Sequence, residues 1–179
     1  MKKIYLLFVF TLLIASCSNN VDVAIDNPTN EAIIVSIDSL SVEVAPKEVV
    51  WVEMGKGPHT VTLANDSIVN YDFVSSVYML NPTMVEYLMT GEYYGNETYY
   101  KMYEVTQGKK KVEYLGMEFE GDYAIIDGLI NEITWDYGPR EVLPEIVEIE
   151  DGDNYTVLKK LYSPYELYEQ MLARQESAN

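Results

Sequence analysis

The chain has 179 residues, a formal net charge of −17 and a single cysteine, Cys17. This charge argues strongly against a nucleic-acid partner, because phosphate binding needs clustered Lys and Arg side chains. One cysteine cannot form an intramolecular disulfide, so a hydrophobic core has to supply the stability of the fold. The length fits one domain, or two small domains in contact.

Residues 1–16 have the composition of a secretory signal peptide. Lys2 and Lys3 come first, an apolar stretch follows at positions 4–14, and two small residues then precede Cys17. A membrane-spanning helix needs about 20 apolar residues, and this segment falls short of that length. The alternatives are an ordinary signal peptide with a chance cysteine and a structural segment.

The block Ile14-Ala15-Ser16-Cys17 resembles a bacterial lipobox. The resemblance implies that residues 1–16 are removed and that Cys17 becomes a lipidated N-terminus in the bacterial cell envelope. Ser18 implies sorting to the outer membrane, with the periplasmic or exterior face left open. Two or more acyl chains, such as palmitate, give stable anchoring. Residues 17–20 would form a short tether, because three residues reach at most about 10 Å.

The sequence pattern of residues 21–76 predicts the antiparallel strands of a β-sandwich similar to an immunoglobulin fold. Short alternating segments are separated by turn residues at intervals of about 8 to 12 residues. The predicted strands cover residues 21–25, 32–37, 40–44, 49–52, 59–63 and 67–69.

Three stretches of this part resemble a known repeat: Val35-Ser36-Ile37-Asp38, Val44-Ala45-Pro46 and Gly57-Pro58-His59-Thr60-Val61. They are similar to PEGA, a small β-sandwich repeat of bacterial surface and envelope proteins, over about residues 31–64. The resemblance implies a structural or adhesive module and not a catalyst.

Residues 77–179 predict a tyrosine-rich β part with further antiparallel hairpins, packed on the first part. A hairpin is predicted over residues 98–120, with its turn at 107–109, because apolar and polar residues alternate there. Residues 83–90 fit either a short helix or a strand, and the strand is favoured. Other strands are predicted at 77–82, 123–126, 132–135 and 155–158.

One helix is predicted, at the C-terminus over about residues 164–174. Ser163 is an N-cap, Pro164 stands at the first helical position and Glu166 completes a capping box. An apolar stripe along this helix would cover a sheet face or a sheet edge.

No residue pattern in the sequence predicts a cofactor or a catalytic site. His59 is the only histidine, and without a second His or a free Cys it cannot form a zinc site, so a structural role is expected. The chain has 29 carboxylates, and nothing selects a catalytic pair among them. Asp151, Asp153 and Asn154 form a weak calcium candidate, for which a solvated turn is the alternative.

Aromatic residues provide a possible ligand surface, since sugar C–H faces stack on flat rings. Packing within the core or across strands is the alternative, because alternation turns about half of such rings inward. The candidate residues are Tyr93, Tyr94, Tyr99, Tyr100, Tyr103, Trp135 and Tyr137.

These observations lead to three hypotheses about function. The first is a non-enzymatic, membrane-anchored lipoprotein that binds or braces an envelope partner, whether protein or glycan. The second is a glycan-binding module that uses the Tyr and Trp surface. The third is a hydrolase without a recognisable motif.

Overall fold

The computed structural model describes residues 19–107, 110–150 and 152–177. The fold is mainly β with antiparallel sheets and a C-terminal helix, as the sequence predicts. The predicted signal peptide lies outside the described residues, as do Cys17 and Ser18 of the predicted tether. The other two tether residues, Asn19 and Asn20, are described, and Asn20 already belongs to a strand. Neither described helix is long and apolar enough to cross a membrane.

Thirteen strands and two helices follow one another along the described chain. In order they are β1 (Asn20–Asn27), β2 (Ile33–Ile37), β3 (Leu40–Val44), β4 (Glu48–Gly55), β5 (Gly57–Thr62), β6 (Ile68–Phe73), β7 (Val77–Leu80), β8 (Tyr87–Gly95), α1 (Glu97–Gln107), β9 (Lys111–Tyr114), β10 (Met117–Glu120), β11 (Tyr123–Ile126), β12 (Ile130–Glu132), β13 (Tyr155–Tyr162) and α2 (Pro164–Ser177).

Two four-stranded sheets form a sandwich, with strand orders β12-β7-β1-β4 and β3-β2-β5-β6. Strand β1 alternates in the expected way, with Val21, Val23 and Ile25 fully buried in the core between the sheets. The sequence predicts a boundary between two parts at residue 76. Strands β7 and β12 lie after this boundary, yet they belong to the same sheet as β1. The two predicted parts therefore share a sheet.

One strand pair of the sandwich differs from the antiparallel pattern that the sequence predicts. Strand β7 runs parallel to β1, with Ile25 opposite Leu80. A parallel neighbour requires a long connection, and strands β2 to β6 provide it. Alternation within each strand cannot distinguish the two directions, because the side-chain period is the same in both.

A third sheet, with strand order β11-β8-β13, covers the outer face of the first sheet. Met79 points out of the sandwich between the inward-facing Tyr78 and Leu80, and packs with Tyr87, Trp135 and Leu161 in a second core. The opposite face of the third sheet packs against α2 and the β9–β10 hairpin, in a third core around Leu88, Tyr114, Tyr162 and Leu167.

The predicted hairpin over residues 98–120 is wrong in its first half, which is the helix α1. Asn96 caps this helix, because its side-chain oxygen accepts the N–H of Thr98 at 2.9 Å. Helical spacing buries Tyr103. The described hairpin is β9–β10, which turns at Leu115 and Gly116, both at positive φ, as a two-residue type I′ turn requires.

Other boundaries differ by a few residues. The strand preferred for residues 83–90 is confirmed only from Tyr87 onward. The strand predicted at 132–135 ends at Glu132, where β12 ends. Helix α2 continues to Ser177 instead of ending near 174, and its capping box is confirmed by reciprocal contacts of 3.4 Å between Ser163 and Glu166.

His59 lies in the sandwich with acceptors at both ring nitrogens. Its Nδ1 lies 2.6 Å from Oδ2 of Asp38 and its Nε2 lies 2.8 Å from the carbonyl oxygen of Gly55. The hydrogen bond to Asp38 raises the pKa of His59. The hydrogen bond from the backbone N–H of Thr60 lowers the pKa of Asp38 most, and the hydrogen bond from His59 lowers it further. These contacts join the turn after β2 to strand β5 and agree with the structural role expected for His59.

Candidate functional site

The tryptophan cleft lies on the outer face of the first sheet, beside the segment 133–141, and has a volume of about 410 Å³. It contains both tryptophans of the chain. Trp51 of β4 is 56 % exposed, whereas Trp135 is 7 % exposed. Ala24 lies between Trp51 and Met79 in the strand register, and its small side chain leaves room for the cleft floor.

A buried charge lies at one end of the tryptophan cleft. Asp26 is fully buried, and its Oδ2 accepts the hydroxyl of Tyr87 while its Oδ1 accepts the guanidinium of Arg140. Burial raises the pKa of Asp26, although Tyr87 and Arg140 both favour its ionised form. The pKa of Tyr87 is also raised, chiefly by burial. A buried carboxylate is tolerated only when it is paired in this way.

The charges continue from Arg140 into the C-terminal helix. Oε2 of Glu166 accepts the backbone N–H of Arg140 at 3.0 Å, and Oε1 accepts Nζ of Lys160 at 2.7 Å. Lys160 is almost fully buried and also donates to the carbonyls of Gly138 and Leu161. Burial lowers the pKa of Lys160. We call Tyr87, Asp26, Arg140, Glu166 and Lys160 the charge network.

The charge network holds the segment 138–141 in an unusual backbone conformation. Arg140 has a φ of 65°, a left-handed conformation that is uncommon for a residue other than glycine. Such conformations persist where the surrounding contacts determine them, and they are concentrated at functional sites. The contacts of Arg140 with Asp26 and Glu166 provide that constraint.

Two carboxylates line the rim of the tryptophan cleft. Oδ2 of Asp136 accepts the N–H of Lys159 at 2.7 Å, and Oε2 of Glu141 accepts the N–H of Gly138. A carboxylate held by one oxygen can accept a ligand hydroxyl with the other. The cleft therefore combines an exposed indole ring with fixed polar groups, an arrangement typical of small-molecule and glycan sites.

A second indentation, the tyrosine cleft, lies between α1, strand β8 and the corner between β10 and β11, with a volume of about 840 Å³. Tyr93, Tyr100 and Tyr103 line it, and Tyr155 packs behind them. The ring centroids of Tyr93 lie 5.2 Å from those of Tyr100 and Tyr155 and 5.4 Å from that of Tyr103.

The predicted aromatic surface is divided between these two places. Tyr93, Tyr100 and Tyr103 come together in the tyrosine cleft, whereas Trp135 lies in the tryptophan cleft. Tyr94 and Tyr137 line neither cleft. The hydroxyl of Tyr94 donates to the carbonyl of Pro144, and Tyr137 pairs with Lys160 through an isolated bridge.

Tyr99 is on α1 but does not line either cleft. Within the tyrosine cleft, the ring planes of Tyr93 and Tyr100 are 78° apart. These two rings therefore pack edge to face, and do not form one flat platform for a sugar.

The weak calcium candidate is only partly described. Asp151 lies outside the described residues, and the N–H of Asp153 donates to the carbonyl of Glu150 at 3.0 Å, which closes a turn. No group of three or more His, Cys, Asp or Glu side chains with metal-binding geometry occurs among the residues that the structure describes.

No sequence pattern identifies three residues of the tryptophan cleft: Asp26, Trp51 and Arg140. The alternation in residues 49–52 could have placed Trp51 on an exposed face. Asp26 and Arg140 are 114 positions apart, so no local pattern connects them.

Comparisons of the chain with models of known families, with curated proteins and with solved structures found no match. The lipobox and the PEGA-like segment therefore remain predictions from the sequence.

Proposed function

We propose that this protein is a lipid-anchored lipoprotein of the bacterial envelope that binds a partner through the tryptophan cleft without catalysing a reaction. The observation that carries this proposal is the cleft itself. An exposed indole, fixed carboxylates and an arginine with a left-handed backbone conformation lie together above a buried charge network. Left-handed conformations at residues other than glycine are concentrated at functional sites.

The position of the anchor supports this proposal. Strand β1 begins at Asn20, three residues after Cys17, so the start of β1 lies next to the membrane once Cys17 carries its acyl chains. Asp26 is six residues further along the strand, or about 20 Å at the rise of an extended chain. A strand of this length allows the tryptophan cleft to stand clear of the bilayer surface, where a partner can reach it.

The state of the cleft carboxylates supports a binding role rather than a catalytic one. A general acid or base must exchange a proton with a substrate. Both oxygens of Asp26 are already engaged, by Tyr87 and by Arg140. Asp136 and Glu141 each hold a backbone N–H, which suits them to position a ligand.

A glycan is the second candidate for the bound partner, and the exposure of Trp51 favours it. A flat indole ring stacks on the C–H face of a sugar, and the neighbouring carboxylates and the Arg140 guanidinium match its hydroxyl groups. Sorting to the outer membrane would place this cleft near envelope polysaccharides.

Photo-crosslinking in the native envelope tests the binding role. A benzophenone amino acid is placed at Val142, an exposed residue next to the cleft, and at Ile68, an exposed residue on the other sheet. We expect a discrete adduct from Val142 and none from Ile68, and we expect Trp51→Ala to abolish the Val142 adduct. Digestion with a protease or with a glycan hydrolase then identifies the class of partner.

Two outcomes would contradict the binding role. One is an equal yield from both positions, which would indicate random collisions. The other is a Val142 adduct that persists at full yield in the Trp51→Ala variant, which would indicate contact outside the cleft. Because Trp51 is largely exposed, this variant should retain the fold, and circular dichroism provides the check.

A further inference from the structure

The tyrosine cleft has walls of two chemical kinds. Tyr93, Tyr100 and Tyr103 provide ring faces and edges on one side, and Tyr123 adds a fourth ring. The charged side chains of the lining are all carboxylates, namely Glu92, Glu104, Glu120 and Asp122. Among the described lining residues none is Lys or Arg, so the local potential is negative.

A close backbone approach fixes the floor of this cleft. The hydroxyl of Tyr103 donates to Oδ2 of Asp122 at 3.1 Å, directly over Gly91. A Cβ atom at Gly91 would lie 2.1 Å from Oδ2 of Asp122 and 2.8 Å from the Tyr103 hydroxyl. Only glycine therefore permits this contact, which sets one carboxylate beside the aromatic wall.

The other carboxylates surround the rings at the cleft mouth. Glu104 follows Tyr103 on α1, and its charge raises the pKa of the Tyr100 hydroxyl. Oε1 of Glu92 accepts the hydroxyl of Thr90 at 2.9 Å. Nζ of Lys111 lies 3.6 Å from Oε2 of Glu120 and balances part of that charge from outside the lining. Lys110 also lies close by, since its carbonyl accepts the N–H of Gly121 at 2.9 Å. The four carboxylates of the lining outnumber these two lysines.

These walls discriminate among ligand classes. An anion is repelled by the carboxylates. A bare metal ion needs several oxygen ligands around one point, and no such group occurs among the described residues. An organic cation fits both walls, because ring faces attract it through the cation–π interaction and carboxylates through its charge. The volume is also in the range of small-molecule sites.

We propose that the tyrosine cleft binds a small organic cation, an amine or a quaternary ammonium group, between the ring of Tyr100 and the carboxylate of Glu104. The site is separate from the tryptophan cleft and does not depend on the function proposed above. Tyr100 is 41 % exposed, so its ring is accessible to a ligand from solvent.

Calorimetric titration of the whole chain with two probes of the same shape tests this site. Choline carries the charge, and 3,3-dimethylbutan-1-ol is its neutral isostere. We expect choline to bind about tenfold more tightly than the alcohol, as a cation–π contact with a nearby carboxylate would give. Equal binding of the two probes, or no binding of choline, would overturn the proposal.

Variants localise the binding to the cleft. Glu104→Gln and Tyr100→Leu should each weaken choline binding by about threefold to tenfold. Glu113→Gln removes the same charge from an exposed position of β9 outside the cleft, and should change the affinity by less than about twofold. An equal loss in Glu113→Gln and Glu104→Gln would show that overall charge is responsible. Trp51→Ala should leave choline binding unchanged. This variant therefore distinguishes a failure of the present proposal from a failure of the function proposed for the tryptophan cleft.

Discussion

Replacement of Arg140 by Met is expected to lower the free energy of unfolding by about 3 kcal/mol. Asp26 is fully buried and would lose the cation that pairs with its Oδ1. Breaking a buried pair by removing one partner typically costs about 3–5 kcal/mol, because the remaining charge is left uncompensated. Met preserves most of the length and volume of the side chain, so the loss of stability measures the effect of removing the charge. Urea unfolding followed by circular dichroism measures it.

The matched control for this variant is Lys56→Met, which removes one exposed cation and should change the free energy by less than about 0.5 kcal/mol. The double variant Asp26→Asn with Arg140→Met should recover about 1–3 kcal/mol of the loss, because the carboxylate is no longer present. If the double variant is less stable than Arg140→Met alone, the pairing account is wrong.

The pH dependence of the Arg140→Met variant has a defined sign. Burial raises the folded-state pKa of Asp26 above the ordinary aspartate value of 3.8, and removal of Arg140 raises it further. The stability that this group contributes is present below its unfolded pKa and is lost as pH rises through its folded pKa. The deficit of the variant should therefore be smaller at about pH 4 than at neutral pH.

Replacement of Glu166 by Gln is expected to destabilise the protein to a similar degree, about 3 kcal/mol, by leaving Lys160 without its ion pair. Nζ of Lys160 lies 2.7 Å from Oε1 of Glu166, and the lysine side chain is only 2 % exposed. The one amide oxygen of Gln can still accept the N–H groups of Arg140 and Ser163. Its NH2 group would then face Nζ of Lys160, so the change removes both the charge and the acceptor of Lys160. Chemical unfolding again gives the value.

The stability of Glu166→Gln should depend on pH in the opposite direction to that of Arg140→Met. Burial lowers the folded-state pKa of Lys160 below 10.5, and loss of Glu166 lowers it further. Because the unfolded chain then binds more protons, stability rises with pH between the two pKa values. The deficit of Glu166→Gln should therefore shrink in alkaline buffer.

Two further variants accompany Glu166→Gln. Lys160→Met should rescue it, since an apolar side chain of similar volume can replace a buried ion pair. Glu169→Gln, at an exposed position of the same helix, should have an effect below about 0.5 kcal/mol. A loss in Glu169→Gln as large as that in Glu166→Gln would contradict the role of burial.

Local signals were sufficient for much of the fold. Alternation and turn residues predict the strands of the sandwich, because one face of each strand packs on the core. The capping box at Ser163 and Glu166 predicts the start of α2, because all of its hydrogen bonds form within four consecutive residues. The sequence predicts the end of that helix near residue 174 and not at Ser177, because no glycine or proline marks it.

The helix α1 shows where local signals failed. Its sequence alternates and is rich in Tyr and Val, which favours a strand. The cap at Asn96 and the spacing of Tyr99 and Tyr103 are equally present in the sequence. Packing of Tyr103 over Gly91 and Asp122 decides between the two structures, and those residues are distant in sequence.

The candidate sites depend on such distant contacts to an even greater extent. Aromatic composition predicted that tyrosines would gather, and Tyr93, Tyr100 and Tyr103 do. The charge network joins β1, β8, the segment 138–141, β13 and α2, and none of these has a motif that identifies the others. Alternation identifies Trp51 only as one residue of a strand, because the cleft wall that faces it lies more than 80 positions away in the sequence.

Metabolic labelling with a fatty-acid probe tests the central claim, an envelope protein anchored through Cys17, most directly. The wild-type chain and a Cys17→Ser variant are expressed in bacterial cells, labelled and separated into membrane and released fractions. The account predicts a labelled wild-type chain in the membrane fraction, and an unlabelled Cys17→Ser variant that is either an uncleaved, larger precursor or released. An unlabelled wild-type chain, or full membrane retention of a processed Cys17→Ser variant, would contradict it.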